Sequence, residues 1–288
     1  MDVSLKSSGA KHKMSEAKPW VRRFGRFGYM TIGIVYGMIG ILAALAAFGP
    51  RGEMTGTSGV LQSISEIPFG EIALWIIGIG LFGYILWVFI LAIKDPNNVG
   101  TDVQGLIKRA SYFISGVIYA NLSYGAIKLA SHTGNAGNSE SEKNVSIKLL
   151  EQPFGIWLVG IVGAIIIGCG VFELYSGVKE KFMSEFKTYE MNGMERNVAR
   201  ITGKIGLISR GTVISMIGFF FIRTAYTNNS EESKGFGGAL TELANQPFGK
   251  FLLAMVAIGL ILYGLHQIIL GRYQRMNFGY EKSNFKKR

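Results

Sequence analysis

Six runs of 21 to 25 mostly apolar residues recur along the chain, at Phe27–Phe48, Phe69–Ile93, Ala110–Ala130, Phe154–Val178, Ile205–Tyr226 and Phe248–Leu270. At about 1.5 Å rise per residue, each is long enough to cross the roughly 30 Å of hydrocarbon in a bilayer as a helix. Buried helices of water-soluble proteins are rarely this long and are not repeated six times, so a soluble helical core is disfavoured. The expected fold class is all-α, a polytopic membrane helical bundle. Composition agrees: charged residues make up 17%, the mean hydropathy is +0.29, and one cysteine rules out a disulfide scaffold or a multi-cysteine metal site. With only three histidines as well, no cofactor or metal is expected.

Orientation follows from the 30 Lys and Arg residues. Twenty-two of them lie in the two ends of the chain and in the loops after the second and fourth runs, including Arg22, Lys108, Arg200 and Arg275. The three remaining loops hold only Arg51, Lys143, Lys148 and Lys234. The positive-inside rule therefore puts both termini in the cytoplasm. The net charge of +11 is explained by this bias and by attraction to an anionic inner leaflet. Because the basic residues are not gathered on one soluble module, no nucleic-acid partner is expected. The first run follows a basic stretch as a signal peptide would, but it exceeds the 7–15 apolar residues such a segment carries and is read as a permanent span.

The tripeptide Pro-Phe-Gly occurs three times, at Pro68-Phe69-Gly70, Pro153-Phe154-Gly155 and Pro247-Phe248-Gly249. Upstream, Gly33-Ile34-Val35-Tyr36 lines up with Gly116-Val117-Ile118-Tyr119 and Gly211-Thr212-Val213-Ile214. The chain thus reads as three copies of one two-helix unit. The expected units are 23–96, 107–182 and 202–275, with basic tails at 1–22 and 276–288 and a linker at 183–201. Each copy starts and ends on the same side, so the repeats are parallel, and the simplest packing sets them around a pseudo-threefold axis along the membrane normal. In the tripeptide, proline suits the first turn of a helix, phenylalanine the membrane boundary, and glycine the close approach of a neighbouring backbone.

These motifs carry a resemblance. Gly-Tyr-x-x-x-Gly-x-x-Tyr from Gly28 to Tyr36, then a Gly/Ala-rich helix, then Pro-Phe-Gly opening a second helix, is similar to the bacterial membrane proteins built from three tandem copies of domain of unknown function 1206. The resemblance covers roughly Arg23 to Arg275 and departs most in the second copy, where Lys108-Arg109-Ala110-Ser111 lacks the early glycine. It implies the bacterial inner (cytoplasmic) membrane and supplies no activity.

Small residues four apart let membrane helices approach, and Gly160, Ala164 and Gly168 form such a row, as do Gly33 with Gly37 and Gly40 with Ala44. Gly78-Ile79-Gly80-Leu81-Phe82-Gly83 matches a dinucleotide-binding fingerprint in letters only, because it lies inside an apolar run with no strand before it. All six prolines fall at run ends or in tails, so no span is proline-broken at mid-membrane as in many transporters.

Ionisable groups inside spans are costly and are the natural candidates for function. Glu173, Arg210 and His266 lie about four to six residues from the basic ends of their runs, roughly 6–9 Å deep, and could form a connected polar layer. Gly203 and Gly206, two turns and one turn before Arg210, would leave room for its guanidinium. Asn121 is expected to hydrogen-bond a neighbouring helix, and Trp20, Trp157 and several tyrosines suit the interfaces. The loop Ser131–Asn144 is expected to be mobile. Phe182, Phe186 and Tyr189 suggest an amphipathic extension of the fourth span, lying on the membrane or against a partner.

No nucleophile elbow, phosphate loop or metal spacing is present in the sequence, so an enzyme is not expected. Two readings stay open. One is a membrane accessory or interaction protein, with a membrane-protein partner or a second copy of itself beside the lipid bilayer. The other is a carrier or channel for a small solute, with a cytoplasm-side polar site around Arg210.

Overall fold

A computed structural model describes residues 3–48, 56–94, 100, 103–133 and 147–275. The 276–288 tail, Arg51, Lys143 and most of the Ser131–Asn144 loop lie outside the described residues. Eight α-helices of nine residues or more follow in order: α1 (Val3–Phe48), α2 (Thr57–Ser65), α3 (Gly70–Lys94), α4 (Val103–Ala130), α5 (Gly155–Val178), α6 (Gly193–Thr227), α7 (Phe236–Ala244) and α8 (Gly249–Tyr273). Helix suits these sequences because it satisfies every backbone N–H and C=O within the segment, where lipid could not. Five of them, α1 from Trp20 onward, α3, α5, α6 and α8, are long and apolar enough to cross a membrane. The 28-residue α4 is as long but is not among these five; it carries Arg109, Asn121 and Lys128. The stretch expected to be an N-terminal tail continues α1 as helix.

Each Pro-Phe-Gly closes a tight turn ahead of α3, α5 and α8. The glycine N–H of Gly70, Gly155 and Gly249 donates to the carbonyl three residues back, at 2.9, 2.8 and 2.7 Å. Phe69, Phe154 and Phe248 hold φ of 65°, 65° and 61°. This is a type II turn with proline at its favoured second position and phenylalanine where glycine or asparagine usually sits. The proline therefore stands just before the helix, not within its first turn as expected, because the left-handed residue has to follow it. The glycine reading holds: a Cβ on any of the three would overlap the carbonyl oxygen of Ile64, Leu149 or Ala244. All three phenylalanine rings remain about four-fifths exposed, at 82%, 80% and 86%.

The second helix of each copy packs antiparallel on the first helix of another, through small residues seven apart. Gly33 meets Gly264 and Gly40 meets Ala257 where α1 crosses α8. Gly170 meets Gly211 and Gly163 meets Gly218 between α5 and α6. Between α3 and α4, Ser123 Oγ donates to the Gly78 carbonyl at 2.9 Å. Aligning the copies makes Gly40, Ser123 and Gly218 equivalent, and likewise Gly78, Gly163 and Ala257. The seams thus use the same positions. Of Gly160, Ala164 and Gly168, only Gly160 touches a seam, at Ala225: α5 buries Val159, Gly163, Gly170 and Gly177 against α6 instead.

Within a copy the outcome differs. In the first, α1 packs on α3 with Gly28 against the Tyr84 backbone and the Thr31 hydroxyl against Gly80. In the third, α6 packs on α8 with Gly206 against Tyr263 and Ser209 against Gly259. In the second, α4 and α5 make no comparable packing among the described residues. Their equivalents of these pairs are Ser111 with Cys169 and Ile114 with Ile165. The first pair is joined by a hydroxyl–thiol hydrogen bond. The two isoleucines are exposed, at 41% and 48%.

Both ends of the bundle are covered. At the Pro-Phe-Gly end, α2 and α7 bury Val60, Leu61, Ile64, Ala239 and Leu240 in the main core. At the other end, α5 stops at Val178 because Glu180 takes a left-handed conformation, φ 54°. The chain then folds inward through two short 3-10 turns. Phe182 and Phe186 are buried there among Tyr29, Trp87, Leu91 and Leu270. The linker is pinned by backbone hydrogen bonds from Lys187 N to the Tyr273 carbonyl and from Arg275 N to the Glu185 carbonyl, both 2.8 Å. The expected amphipathic extension is thus a plug, and of its three aromatics only Tyr189 is exposed.

Candidate functional site

The seams carry one polar cluster to the middle of the bundle. Arg210 sits seventeen residues from either end of α6, about 25 Å, because that helix begins at Gly193, under an Asn192–Glu195 capping box, rather than near Ile205. The guanidinium Nη1 donates to Glu173 Oε1 of α5 in a direct ion pair. Its Nε donates to the Tyr36 hydroxyl of α1 at 2.9 Å. Its Cζ lies 5.2 Å from the Tyr36 ring centre and 5.0 Å from that of Tyr263 on α8, positions at which each ring face attracts a cation.

Tyrosines complete the centre. Tyr36 and Tyr263 meet edge to face at 4.9 Å, and Tyr84 of α3 and Tyr119 of α4 do so at 5.0 Å. These four rings are interior; the sequence reading gave several tyrosines to the interfaces and singled out none of the four for the interior. They sit at repeated positions, Tyr36 with Tyr119 and Tyr84 with Tyr263, which was the available signal. Each long helix thus gives this layer one polar or aromatic side chain.

His266 is not part of the ion pair. It is 3% exposed, with its ring 5.1 Å from Phe182, 5.4 Å from Phe186 and 6.3 Å from Tyr263. Gly203, expected to make room for Arg210, instead makes room for Phe182 and His266, since a Cβ there would lie 2.7 Å from His266 Nδ1. The ring of Tyr263 contacts both groups, which is how helix spacing put His266 in the layer by count but not by contact. Gln267, the repeat equivalent of Glu173, donates to the Tyr263 hydroxyl. Asn121 is exposed on α4 and not turned into a helix contact.

The pair is not sealed. The Arg210 and Glu173 side chains keep 16% and 20% of their surface. Glu173 Oε2 is buried without a hydrogen-bond partner, and Arg210 Nη2 makes no hydrogen bond among the described residues. No group of three or more His, Cys, Asp or Glu side chains that could hold a metal occurs among the described residues.

A family model described as Domain of Unknown Function (DUF1206) matches three times in tandem, at residues 27–95, 110–180 and 205–274. The chain is a member of the DUF1206 family. It is similar to the uncharacterized protein YxxB of Bacillus subtilis (strain 168), 41% identical over 263 residues that cover 91% of this chain and 94% of that one. No solved structure matches it. Membership accounts for the triple repeat. The Arg210–Glu173 pair is a feature of the second and third DUF1206 copies only, as the first has Ile32 and Val88 at those positions.

Proposed function

We propose that this DUF1206 protein is a non-enzymatic accessory protein of the bacterial cytoplasmic membrane. It crosses the bilayer six times around a pseudo-threefold axis, with both termini in the cytoplasm, and works by holding a membrane-protein partner or a second copy of itself. The equivalent Gly and Ser positions at the three seams support the axis, and the distribution of Lys and Arg supports the orientation. The observation that carries the accessory role is the filled centre. Tyrosine rings and the ion pair occupy the middle, Phe182 and Phe186 one end, and α2 with α7 the other. Among the described residues these side chains stand across an axial solute path. Mild detergent extraction with affinity capture should recover a stoichiometric membrane partner or a homo-oligomer. Recovery of a bare monomer alone would defeat this reading.

A carrier for a small solute is the second reading, favoured by the residual exposure of Arg210 and Glu173. It requires solute flux into proteoliposomes that falls at least tenfold in Arg210→Lys, which keeps the charge but loses the fork that bonds Glu173 and Tyr36 together. Flux equal to that of protein-free vesicles removes it.

A further inference from the structure

The open second copy leaves one face of α4 unclaimed. Ala110, Ile114, Val117, Asn121 and Tyr124 are exposed along it, and half-buried Lys128 extends the row. The steps of 4, 3, 4, 3 and 4 residues are those of a seam between two helices wound side by side. In the closed copies the same positions are already used. Thr31 and Ser209, equivalent to Ile114, are 2% and 9% exposed, against Gly80 and Gly259. Met38 and Met216, equivalent to Asn121, pack against the main core. Of the three first helices, only α4 carries this row on its outside, and only there does the row hold a carboxamide.

Asn121 lies about 7 Å from the midpoint of the 28-residue α4, well inside the hydrocarbon when α4 is the sixth span. Its carboxamide can both donate and accept hydrogen bonds, yet it makes none with the described residues. Lipid tails offer neither donor nor acceptor, so such a group is costly there and favours a second helix that bonds it. The chemistry selects the occupant. Copies inserted the same way are related by a twofold axis along the membrane normal, which sets each residue of α4 against itself at one depth. A carboxamide complements its own image, as a lone ammonium or carboxylate does not. A foreign helix would have to bring a polar group matched in depth. Lys128 does not oppose the pairing, because it lies two residues from the outer end of α4, within reach of headgroups and water, with Nζ 4.8 Å from the Tyr124 ring centre. We propose that α4 is a homodimer interface, two copies pairing in parallel along Ile114, Val117, Asn121 and Tyr124 with their Asn121 carboxamides hydrogen-bonded to each other. This names the partner that the accessory reading leaves open, and it rests on that reading and its six spans.

The test is energy transfer between donor- and acceptor-labelled full chains in phosphatidylcholine vesicles, over a series of protein-to-lipid ratios. A saturable dimer is expected, and Asn121→Leu should raise its dissociation constant about tenfold. Asn121→Gln, which keeps a carboxamide, should raise it less. In a Cys169→Ser background, oxidation should link Val117→Cys chains into dimers and leave Ile258→Cys chains, altered at an exposed position of α8, unlinked. A dimer of undiminished strength in Asn121→Leu, or Val117→Cys chains that stay unlinked while energy transfer persists, overturns the α4 interface and leaves the accessory reading standing. Energy transfer no greater than random mixing gives overturns the interface as well. The accessory reading falls with it only if affinity capture also returns a bare monomer.

Discussion

The first and third copies close their own two helices into a seam, and the second does not. The fold and the turn are the same in all three, so the cause is local. At the repeat-equivalent close approaches of the closed copies one partner is glycine: Gly28 on Tyr84, Thr31 on Gly80, Gly206 on Tyr263, Ser209 on Gly259. Lipid supplies no hydrophobic drive between helices, so close backbone contact is most of what holds them. Placing Ser111 and the Ile114–Ile165 pair at these positions removes that contact. Repeat 2 keeps its outward seams, α3 with α4 and α5 with α6, and gives up the inward one. A repeat protein can thus open one side of a ring with two or three side chains and no change of topology.

The largest effect is expected where the open copy is tied to the rest. Among the described residues α5 packs extensively on one flank, against α6, and Arg210–Glu173 crosses that contact. Arg210→Ala leaves a partly buried carboxylate without its partner and should cost about 3 kcal/mol, at the low end for buried pairs because of the residual exposure. Thermal unfolding in detergent reads this, and Arg210→Met with Glu173→Met should recover most of the loss. A single replacement as mild as the double one would mean the pair does not tie α5 down.

Next in size is the contrast between equivalent glycine environments. Gly28→Val forces a side chain into the Tyr84 backbone and should cost about 1–3 kcal/mol. Gly168→Val points into open space and should fall within about 0.5 kcal/mol of neutral. Equal costs at both sites would break the distinction between a closed and an open copy. A smaller gain, about 0.5–1.5 kcal/mol, is expected from giving the second copy the chemistry of the others, with Ser111→Gly, Ile114→Thr and Ile165→Gly combined. Spin labels at Phe113 and Phe172 should then report a shorter and narrower distance distribution; an unchanged one would show that loop length, not side-chain size, keeps the helices apart.

The smallest effect belongs to the closed third copy alone. Lys234 Nζ donates to Glu242 Oε2 at 2.5 Å, and this bond, with the lysine charge, holds the Glu242 carboxyl below its usual range. The unfolded chain then takes up that proton more readily than the folded one. The contribution is complete above the ordinary carboxylate range, about pH 4.3, and is lost as pH falls through the lower folded value. Glu242→Gln should lower stability slightly at neutral pH, flatten the acid limb of the stability profile, and change least below the folded value.

Much of this was legible in the residues. Apolar run length and the thrice-repeated tripeptide carry the all-helical repeat architecture, because helix in lipid leaves few alternatives. The meeting of Glu173 with Arg210 was also readable, since charges in neighbouring spans have few other partners. Three things were not. The tyrosine layer is not legible because a hydroxyl-bearing ring suits an interface and an interior equally well. The plug was taken for a surface helix because Phe182 and Phe186 recur at helical spacing, and nothing in spacing announces the left-handed turn at Glu180. The short helices α2 and α7 were missed outright, though Val60, Leu61 and Ile64 carry the i, i+1, i+4 pattern.

The α1–α8 seam joins helices from opposite ends of the described chain. Gly33 and Gly40 leave the ribosome well before Gly264 and Ala257 exist, so the groove they form must wait in the bilayer, covered only by lipid, while every other helix is inserted. Such long-range pairing is slow to form. Any stall in translation before α8 strands α1 with its most closely packing surface bare, and quality control in the membrane would meet the protein first at that surface.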